Sequence, residues 1–132
     1  SDKLANNEHL KRQICADLFL DTFPINAHTT ASDALWVGLP ILTLSGESMV
    51  SRVAGSILKN IGMEQLITSN YKDYKALALE LANNAKKLDK IKNEIKKNRF
   101  ISSLFNTKKY TLDLEDIYIN LFNNFVKSKK SI

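Results

Sequence analysis

Apolar positions in the first part of the chain change their spacing, and each change predicts a new element. A polar segment with apolar residues four apart predicts a short helix over residues 7–15. The compact apolar run 17-DLFLDT-22 predicts a strand that is buried on both faces. Helical spacing returns from about Thr30 to Val37, and Gly38 is well placed to end that helix in a left-handed conformation.

The same alternation continues with two further strands and one helix. The segment 40-PILTLSG-46 predicts a second buried strand, residues 50–61 a helix that ends at Gly62, and 65-QLIT-68 a short third strand. Strands that alternate with helices indicate a parallel sheet with right-handed crossovers, and therefore an α/β fold. Three strands are fewer than a doubly wound domain has, so we expect the remaining strands to lie upstream.

The rest of the chain is predicted to be helical. Apolar residues recur at intervals of three and four from Tyr74 to Leu88, and residues 111–126 carry a clear apolar stripe. Residues 100–110 show no such period, which is typical of a connector.

Composition places these elements in one ordinary globular domain. The chain has 132 residues, of which 44% are hydrophobic, and this is enough for a core. No apolar run approaches the roughly 18 residues of a membrane-spanning helix, and no signal-peptide pattern opens the chain. The single Cys15 can form neither an internal disulfide nor a multi-thiolate metal site. These features predict a soluble, cytoplasmic protein.

The formal net charge of +5 raises the question of nucleic-acid binding. Lysines are concentrated in 86-KKLDKIKNEIKKNR-99, where apolar residues at helical spacing make them the solvated face of a helix. Others stand in the tail 127–132, which we expect to be frayed. Basic charge without interleaved aromatic residues gives little support for nucleic-acid binding, so no nucleic acid is expected as a partner.

The segment 26-NAHTTASDALWVGLP-40 carries the candidate chemistry, because it leads from a strand into a helix N-terminus. Ligands of parallel sheets bind at this edge, where free amides and the helix dipole favour a phosphate group. Thr30 and Asp33 also have the spacing of a capping box, which requires no ligand, and His28 could cap a backbone group. The two interpretations are compatible. The glycine-rich motifs of Rossmann dinucleotide sites and P-loops are absent from the sequence.

Three other side chains have simpler interpretations. Asp21 ends the first predicted strand, and a structural ion pair with Arg12 or Arg52 is expected there. Trp36 lies inside an apolar helix and is most simply part of the core. Glu47 stands in a loop, where we expect it to face solvent.

Two stretches of the sequence resemble one protein family. Residues 17–58 contain D-x-x-L-D-T, N-x-H-T-T, D-x-L-W-x-G-x-P and S-R-V-A, and they closely resemble the nucleotide-sugar-binding part of the O-linked N-acetylglucosamine transferase (SPINDLY-like) family. Residues 99–118 are similar to the C-terminal region of that family. The resemblance runs from about Glu8 to Phe125 and covers nearly the whole chain.

The resemblance implies a GT-B glycosyltransferase, whose C-terminal domain holds the donor. This chain would be a single domain, 1–132, with a partial Rossmann-like parallel sheet in residues 8–70 and C-terminal helices in 71–127. The parent would be an inverting protein O-glycosyltransferase that uses a UDP-sugar, with UDP-N-acetylglucosamine as the expected donor and no metal or other cofactor. UDP-glucose, which bacterial relatives use to glycosylate asparagine, stays open as the alternative sugar donor.

The resemblance also implies which residues bind the UDP-sugar. The H-T-T element contacts the donor diphosphate, the aspartate after it contacts the ribose, and an upstream histidine and arginine lie beside the uridine. The corresponding residues of this chain are His28, Thr29, Thr30, Asp33, His9 and Arg12. Asn6 stands where the family has a further lysine at the nucleoside site.

No catalytic residue is expected in this chain, because the family's proposed catalytic and acceptor-side residues lie upstream. The chain alone is therefore expected to be inactive, with a protein acceptor engaged through other parts of the parent. The alternative function is a non-catalytic helical interaction or assembly module on an α/β remnant that no longer binds nucleotide. Exposed sheet edges would then favour a homo-oligomer of the fragment.

Overall fold

A three-stranded parallel sheet forms the centre of the computed structural model, which describes residues 5–129 except for the side chain of Asn6. The strand order is β1-β2-β3, so strands that follow one another in the chain are also neighbours in the sheet. The strands are β1 (Phe19–Leu20), β2 (Ile41–Leu44) and β3 (Ile67–Thr68). Phe19 pairs with Ile41, and Thr43 pairs with Ile67. The predicted α/β architecture is confirmed.

Six helices surround this sheet in the described residues. They are α1 (Asn6–Gln13), α2 (Thr29–Val37), α3 (Val53–Asn60), α4 (Tyr71–Asn83), α5 (Ala85–Asn98) and α6 (Thr107–Lys129). Helices α2 and α3 connect the strands, as the sequence predicts. No helix in the described part of the chain is long and apolar enough to cross a membrane.

Strand β2 is the most deeply buried element, because it has a partner strand on each side. All four of its residues are buried. Strand β1 differs from the prediction: it is shorter, and Leu20 is 55% exposed. The reason is its position at the edge of the sheet, where Leu20 lines an open groove of about 520 Å³ beside α4. The prediction that this strand is buried on both faces is wrong.

The core lies between the sheet and the inner faces of α2, α3, α4 and α5. Its fully buried members include Leu35, Ile41, Leu58, Leu81 and Ile95. Burial of a leucine or isoleucine side chain contributes about 1.5–3 kcal/mol. Because these residues come from different elements, the same contacts fix the position of α2 against the sheet.

Glycine ends α2 as predicted. Gly38 has a φ of 86°, in the left-handed region that favours glycine, and its amide donates to the carbonyls of Ala34 and Leu35. The next amide, that of Leu39, donates to the Ala34 carbonyl at 2.9 Å. These bonds satisfy carbonyls that the end of the helix would leave free.

The periodic segment from Tyr74 to Leu88 is helical, as predicted, and spans the end of α4 and the start of α5. Asn84 interrupts it with a non-helical φ of −126° and ψ of 81°, and its side chain accepts from the Lys87 amide at 3.0 Å as the cap of α5. Within α5, Leu88, Ile91 and Ile95 are buried. The prediction that the lysines of this helix form its solvated face is confirmed.

Helix α6 is longer than the predicted 111–126, and none of its described residues is buried. A short 3-10 turn at Ser103–Phe105 precedes it within the predicted connector. The helix continues through Lys129, so the expectation of a frayed tail is wrong for residues 127–129, and residues 130–132 lie outside the described part. In its predicted apolar stripe Leu114 is half-buried, and five residues are exposed: Ile117, Tyr118, Leu121, Phe122 and Phe125.

Candidate functional site

The N-terminus of α2 follows β1 at the carboxyl edge of the sheet. The sequence suggests a capping box here, but the structure does not form one. The helix begins at Thr29 with His28 as its N-cap residue. Thr30 therefore lies inside the first turn, too late to act as the cap of a capping box. No side chain of residues 5–129 caps this end. The carbonyl of His28 accepts from the amides of Ala31 and Ser32, at 3.1 and 3.2 Å.

The uncapped end leaves backbone donors available. Within the described chain, the amides of Thr29 and Thr30 have no hydrogen-bond acceptor. The side chains of His28, Thr29 and Thr30 are exposed, and the first turn contains no acidic residue. The positive end of the helix dipole coincides with these donors. Two amides, two hydroxyls and an imidazole thus meet at a place where an anion is favoured.

The other three predicted residues lie together where α1 contacts α2. The imidazole Nε2 of His9 is 4.0 Å from Oδ2 of Asp33, and its Nδ1 is 3.1 Å from Nη2 of Arg12. Asp33 follows Thr29 by four positions and Thr30 by three, so it shares their face of α2. The face that carries the uncapped end therefore continues through Asp33 to α1. Asn6 is the first residue of α1, and its side chain lies outside the described part.

Gln13 belongs to this group and was not predicted. Its amide is 2.8 Å from Nε2 of His9. A guanidinium only donates hydrogen bonds, so Nδ1 of His9 accepts from Arg12 and the neutral ring carries its proton on Nε2. The Gln13 amide must then present its oxygen to Nε2, an orientation that also gives a partner to an otherwise unpaired buried oxygen. Arg12 thereby fixes the tautomer of His9, and Gln13 helps to hold the orientation of the ring.

Asp21 does not form the expected ion pair with Arg12 or Arg52. Its side chain is buried, and its Oδ1 accepts from the amides of Thr22 and Ala27 at 2.9 and 2.7 Å. Its Oδ2 accepts from the Thr43 hydroxyl at 2.6 Å. All these donors are neutral. The carboxylate is structural, as expected, but it holds a loop instead of a cation.

A tyrosine completes the surroundings of this carboxylate. The hydroxyl of Tyr74 donates to the Asp21 carbonyl at 2.9 Å. Burial raises the pKa of Tyr74 above 10.0, and the negative charge of Asp21 raises it further. The phenol is therefore held in its neutral, donating form.

Trp36 is not part of the core. It is 44% exposed, and its ring meets that of Phe105 edge-on at 5.2 Å. The guanidinium of Arg99 lies over the rings of both Trp36 and Phe100, at 5.6 and 4.6 Å from their centres. Trp36 therefore joins α2 to the connector before α6. Glu47 is exposed, as expected.

The profile of glycosyl transferase family 41 matches residues 1–114 of the chain. The probable UDP-N-acetylglucosamine–peptide N-acetylglucosaminyltransferase SEC of Arabidopsis thaliana is 36% identical over 124 residues. The UDP-N-acetylglucosamine–peptide N-acetylglucosaminyltransferase of Caenorhabditis elegans is 35% identical over 125 residues. The probable enzyme SPINDLY of Solanum lycopersicum is 30% identical over 122 residues. The three alignments cover 93%, 95% and 92% of this chain.

A solved structure is similar as well. A mutant of the Thermobaculum terrenum O-GlcNAc transferase superposes with a TM-score of 0.85 and 27% sequence identity, over 92% of this chain and 23% of that one. The three relatives are much longer, and the aligned region is 13%, 11% and 13% of their lengths.

Proposed function

The chain belongs to glycosyl transferase family 41, and we propose that it is the donor-binding part of a protein glycosyltransferase. The relatives are named for the transfer of N-acetylglucosamine from its UDP ester to peptides, so UDP-N-acetylglucosamine is the proposed donor and a protein the proposed acceptor. The chain matches only a small share of their length. We therefore assign it donor binding, and transfer of the sugar to the complete parent enzyme.

The observation that carries this proposal is the uncapped N-terminus of α2. The free amides of Thr29 and Thr30, their hydroxyls and the His28 imidazole offer donors to the oxygens of a diphosphate. A helix N-terminus adds roughly half a positive charge at the same place. A capping side chain would compete for these amides, so its absence within the described chain supports a ligand at this position.

The nucleoside half of the donor is assigned to the contact between α1 and α2. The carboxylate oxygens of Asp33 accept hydrogen bonds from ribose hydroxyls, and His9 and Arg12 lie beside the uracil. His9 and Asp33 are 29% and 30% exposed, so a ligand can reach both side chains. Because Asp33 lies one turn after Thr29, a nucleotide bound through both would run along one face of α2.

These residues stabilise the leaving group in the proposed reaction. The acceptor hydroxyl attacks the anomeric carbon with inversion, the bond from that carbon to the diphosphate oxygen breaks, and its electron pair stays on UDP. The proton of the acceptor passes to a base outside this chain. The amides of α2 and His28 offset the negative charge that develops on the diphosphate, a task that a divalent metal ion performs in other enzymes. We propose that no metal is needed.

Calorimetric titration of the chain with UDP and with uridine tests these assignments. We expect Thr30→Val to weaken UDP binding about tenfold, through the loss of one hydrogen bond to a charged group, and to leave uridine binding unchanged. His9→Ala should weaken both. Thr111→Val, at an exposed threonine of α6, is the matched control. Equal affinity of the unmodified chain for uridine and UDP would refute the diphosphate site.

One observation favours the second candidate function, a helical assembly module. No residue in the apolar stripe of α6 is buried among the described residues. A module of this kind would self-associate in sedimentation experiments and would be indifferent to UDP. A homo-oligomer, like a cytoplasmic location, stays a prediction.

A further inference from the structure

We propose that Asp21 is the positioning residue of the diphosphate site. The inference rests on the proposed function, since it concerns how the donor amides of α2 and the His28 side chain are held in place. Asp21 touches no part of the site directly. It acts through the backbone of the loop that joins β1 to α2.

The carboxylate organises this loop from inside. Oδ1 receives the amides of Thr22 and Ala27 and so closes the loop on itself, at 2.9 and 2.7 Å. Ala27 immediately precedes His28, the N-cap of α2. A hydrogen bond at Ala27 therefore restrains the residue next to the first phosphate contact.

The second oxygen ties the loop to the centre of the sheet. Oδ2 receives the hydroxyl of Thr43, a fully buried residue of β2, at 2.6 Å. The Thr43 carbonyl in turn accepts from the hydroxyl of Thr68 on β3, at 2.9 Å. On the other side, Tyr74 of α4 donates to the Asp21 carbonyl. These hydrogen bonds hold the loop in a fixed position relative to β2, β3 and α4.

Asn26 fastens the same loop from its other end. Its Nδ2 donates to the carbonyls of Thr22 and Leu44, at 3.0 and 3.3 Å. Its backbone amide donates to the Val50 carbonyl at 3.0 Å. Asn26 and Asp21 are both more than nine-tenths buried, so these bonds are shielded from water.

A negative charge under a diphosphate site opposes the ligand, so its presence requires a compensating role. That role is simultaneous acceptance: a carboxylate can receive three donors on two oxygens, whereas an asparagine has one acceptor oxygen. In the described chain no cation pairs with Asp21. The role of the carboxylate is therefore to hold this loop in place, and it does not form an ion pair.

The test compares Thr43→Val with Thr43→Ser in the full 132-residue chain. Valine keeps the shape of threonine but removes the hydroxyl, whereas serine keeps the hydroxyl and loses a methyl group. Amide hydrogen exchange by NMR reports on Ala27, and titration with UDP reports on the site. We expect Thr43→Val to accelerate exchange at Ala27 and to weaken UDP binding, each about tenfold, and Thr43→Ser to retain both. Exchange at Ile91 and Ile95 of α5 reports any loss of global stability, so the effect on the loop is the acceleration at Ala27 beyond that at these two amides.

A role in packing alone predicts the opposite order, because serine leaves a cavity at a fully buried position and valine does not. Asp21→Asn provides the second test, with exchange at Ala27 again the readout. Unchanged exchange at Ala27 in both Thr43→Val and Asp21→Asn would overturn the proposal. If the unmodified chain does not bind UDP, the proposed function fails, while exchange at Ala27 still decides whether Asp21 holds the loop.

Discussion

The Nε2 atom of His9 lies 4.0 Å from the Oδ2 atom of Asp33, which brings α1 and α2 together at the nucleoside half of the proposed site. The ring of His9 is oriented by Arg12 on one side and Gln13 on the other. Residues that are far apart in the sequence thus present polar groups to one ligand-sized region. The arrangement depends on Gln13 as much as on the residues that the sequence identifies.

Replacement of Gln13 should therefore affect the nucleoside. Gln13→Leu removes one of the two groups that orient His9, and we expect uridine and UDP affinities to fall about fivefold, as for one neutral hydrogen bond. Lys11→Leu, at an exposed position of the same helix, serves as the control. Calorimetric titration measures both. An unchanged uridine affinity in Gln13→Leu would contradict the assignment of His9 to the nucleoside site.

Two glycine substitutions should change the free energy of unfolding in opposite directions. Gly38→Ala places a side chain at a φ of 86° and within 2.9 Å of Lys96 Cγ, so we expect a loss of about 1–2 kcal/mol of unfolding free energy. Gly55→Ala lies inside α3, and its nearest neighbour is Ile67 Cγ2 at an ordinary 3.6 Å. It should gain about 0.5–1 kcal/mol. Urea denaturation measures both, and a destabilised Gly55→Ala would show that this helix does not pack as described.

Leucine truncations should separate the core from α6. Leu58 is fully buried in α3, and we expect Leu58→Ala to cost about 2–5 kcal/mol. Leu121 is 60% exposed on the apolar face of α6, so Leu121→Ala should change stability by less than about 0.5 kcal/mol. The two variants remove the same atoms. A comparable loss in both, measured by urea denaturation, would mean that the apolar face of α6 is covered in solution.

Alkaline pH should weaken the fold through Tyr74. Its pKa is raised in the folded chain, by burial and then by Asp21, above the unfolded value near 10.0. The folded state therefore retains a proton that the unfolded state loses. The contribution of the neutral phenol is complete below pH 10 and is lost as the pH rises through the folded pKa.

The matched variant for this prediction is Tyr74→Phe, studied by urea denaturation from about pH 8 to 11. Above pH 10 the stability of the unmodified chain should fall more steeply than that of Tyr74→Phe. Lysine titration affects both chains alike and cancels in the comparison. Parallel curves would contradict the raised pKa of Tyr74.

The sequence predicts the elements whose signals are local. Glycine after a helical stretch marks the end of α2, and the apolar runs mark all three strands. Asn84 is different, because apolar spacing continues across it and only its capping of α5 reveals the break. Trp36 is apolar enough for the core, but its partners Phe105 and Arg99 are distant in sequence, and local spacing cannot identify them.

The candidate site, too, is predicted only where the signal is local in the sequence. The six residues from the family resemblance form two groups, one at the N-terminus of α2 and one between α1 and α2. The residues that support them, Gln13, Asp21 and Thr43, were not assigned these roles. Their function depends on hydrogen bonds across the fold, such as that between Asp21 and Thr43, which no spacing along the chain reveals.

NMR titration of the chain with UDP, with His28→Ala as the comparison, tests whether the N-terminus of α2 binds the diphosphate. We expect UDP to shift the amide resonances of Thr29, Thr30 and His9, with the largest changes at the first two, and His28→Ala to weaken these shifts. Resonances of α6, such as that of Leu121, should not move. An unmodified chain whose Thr29 and Thr30 amides do not respond to millimolar UDP would contradict a diphosphate site at the N-terminus of α2.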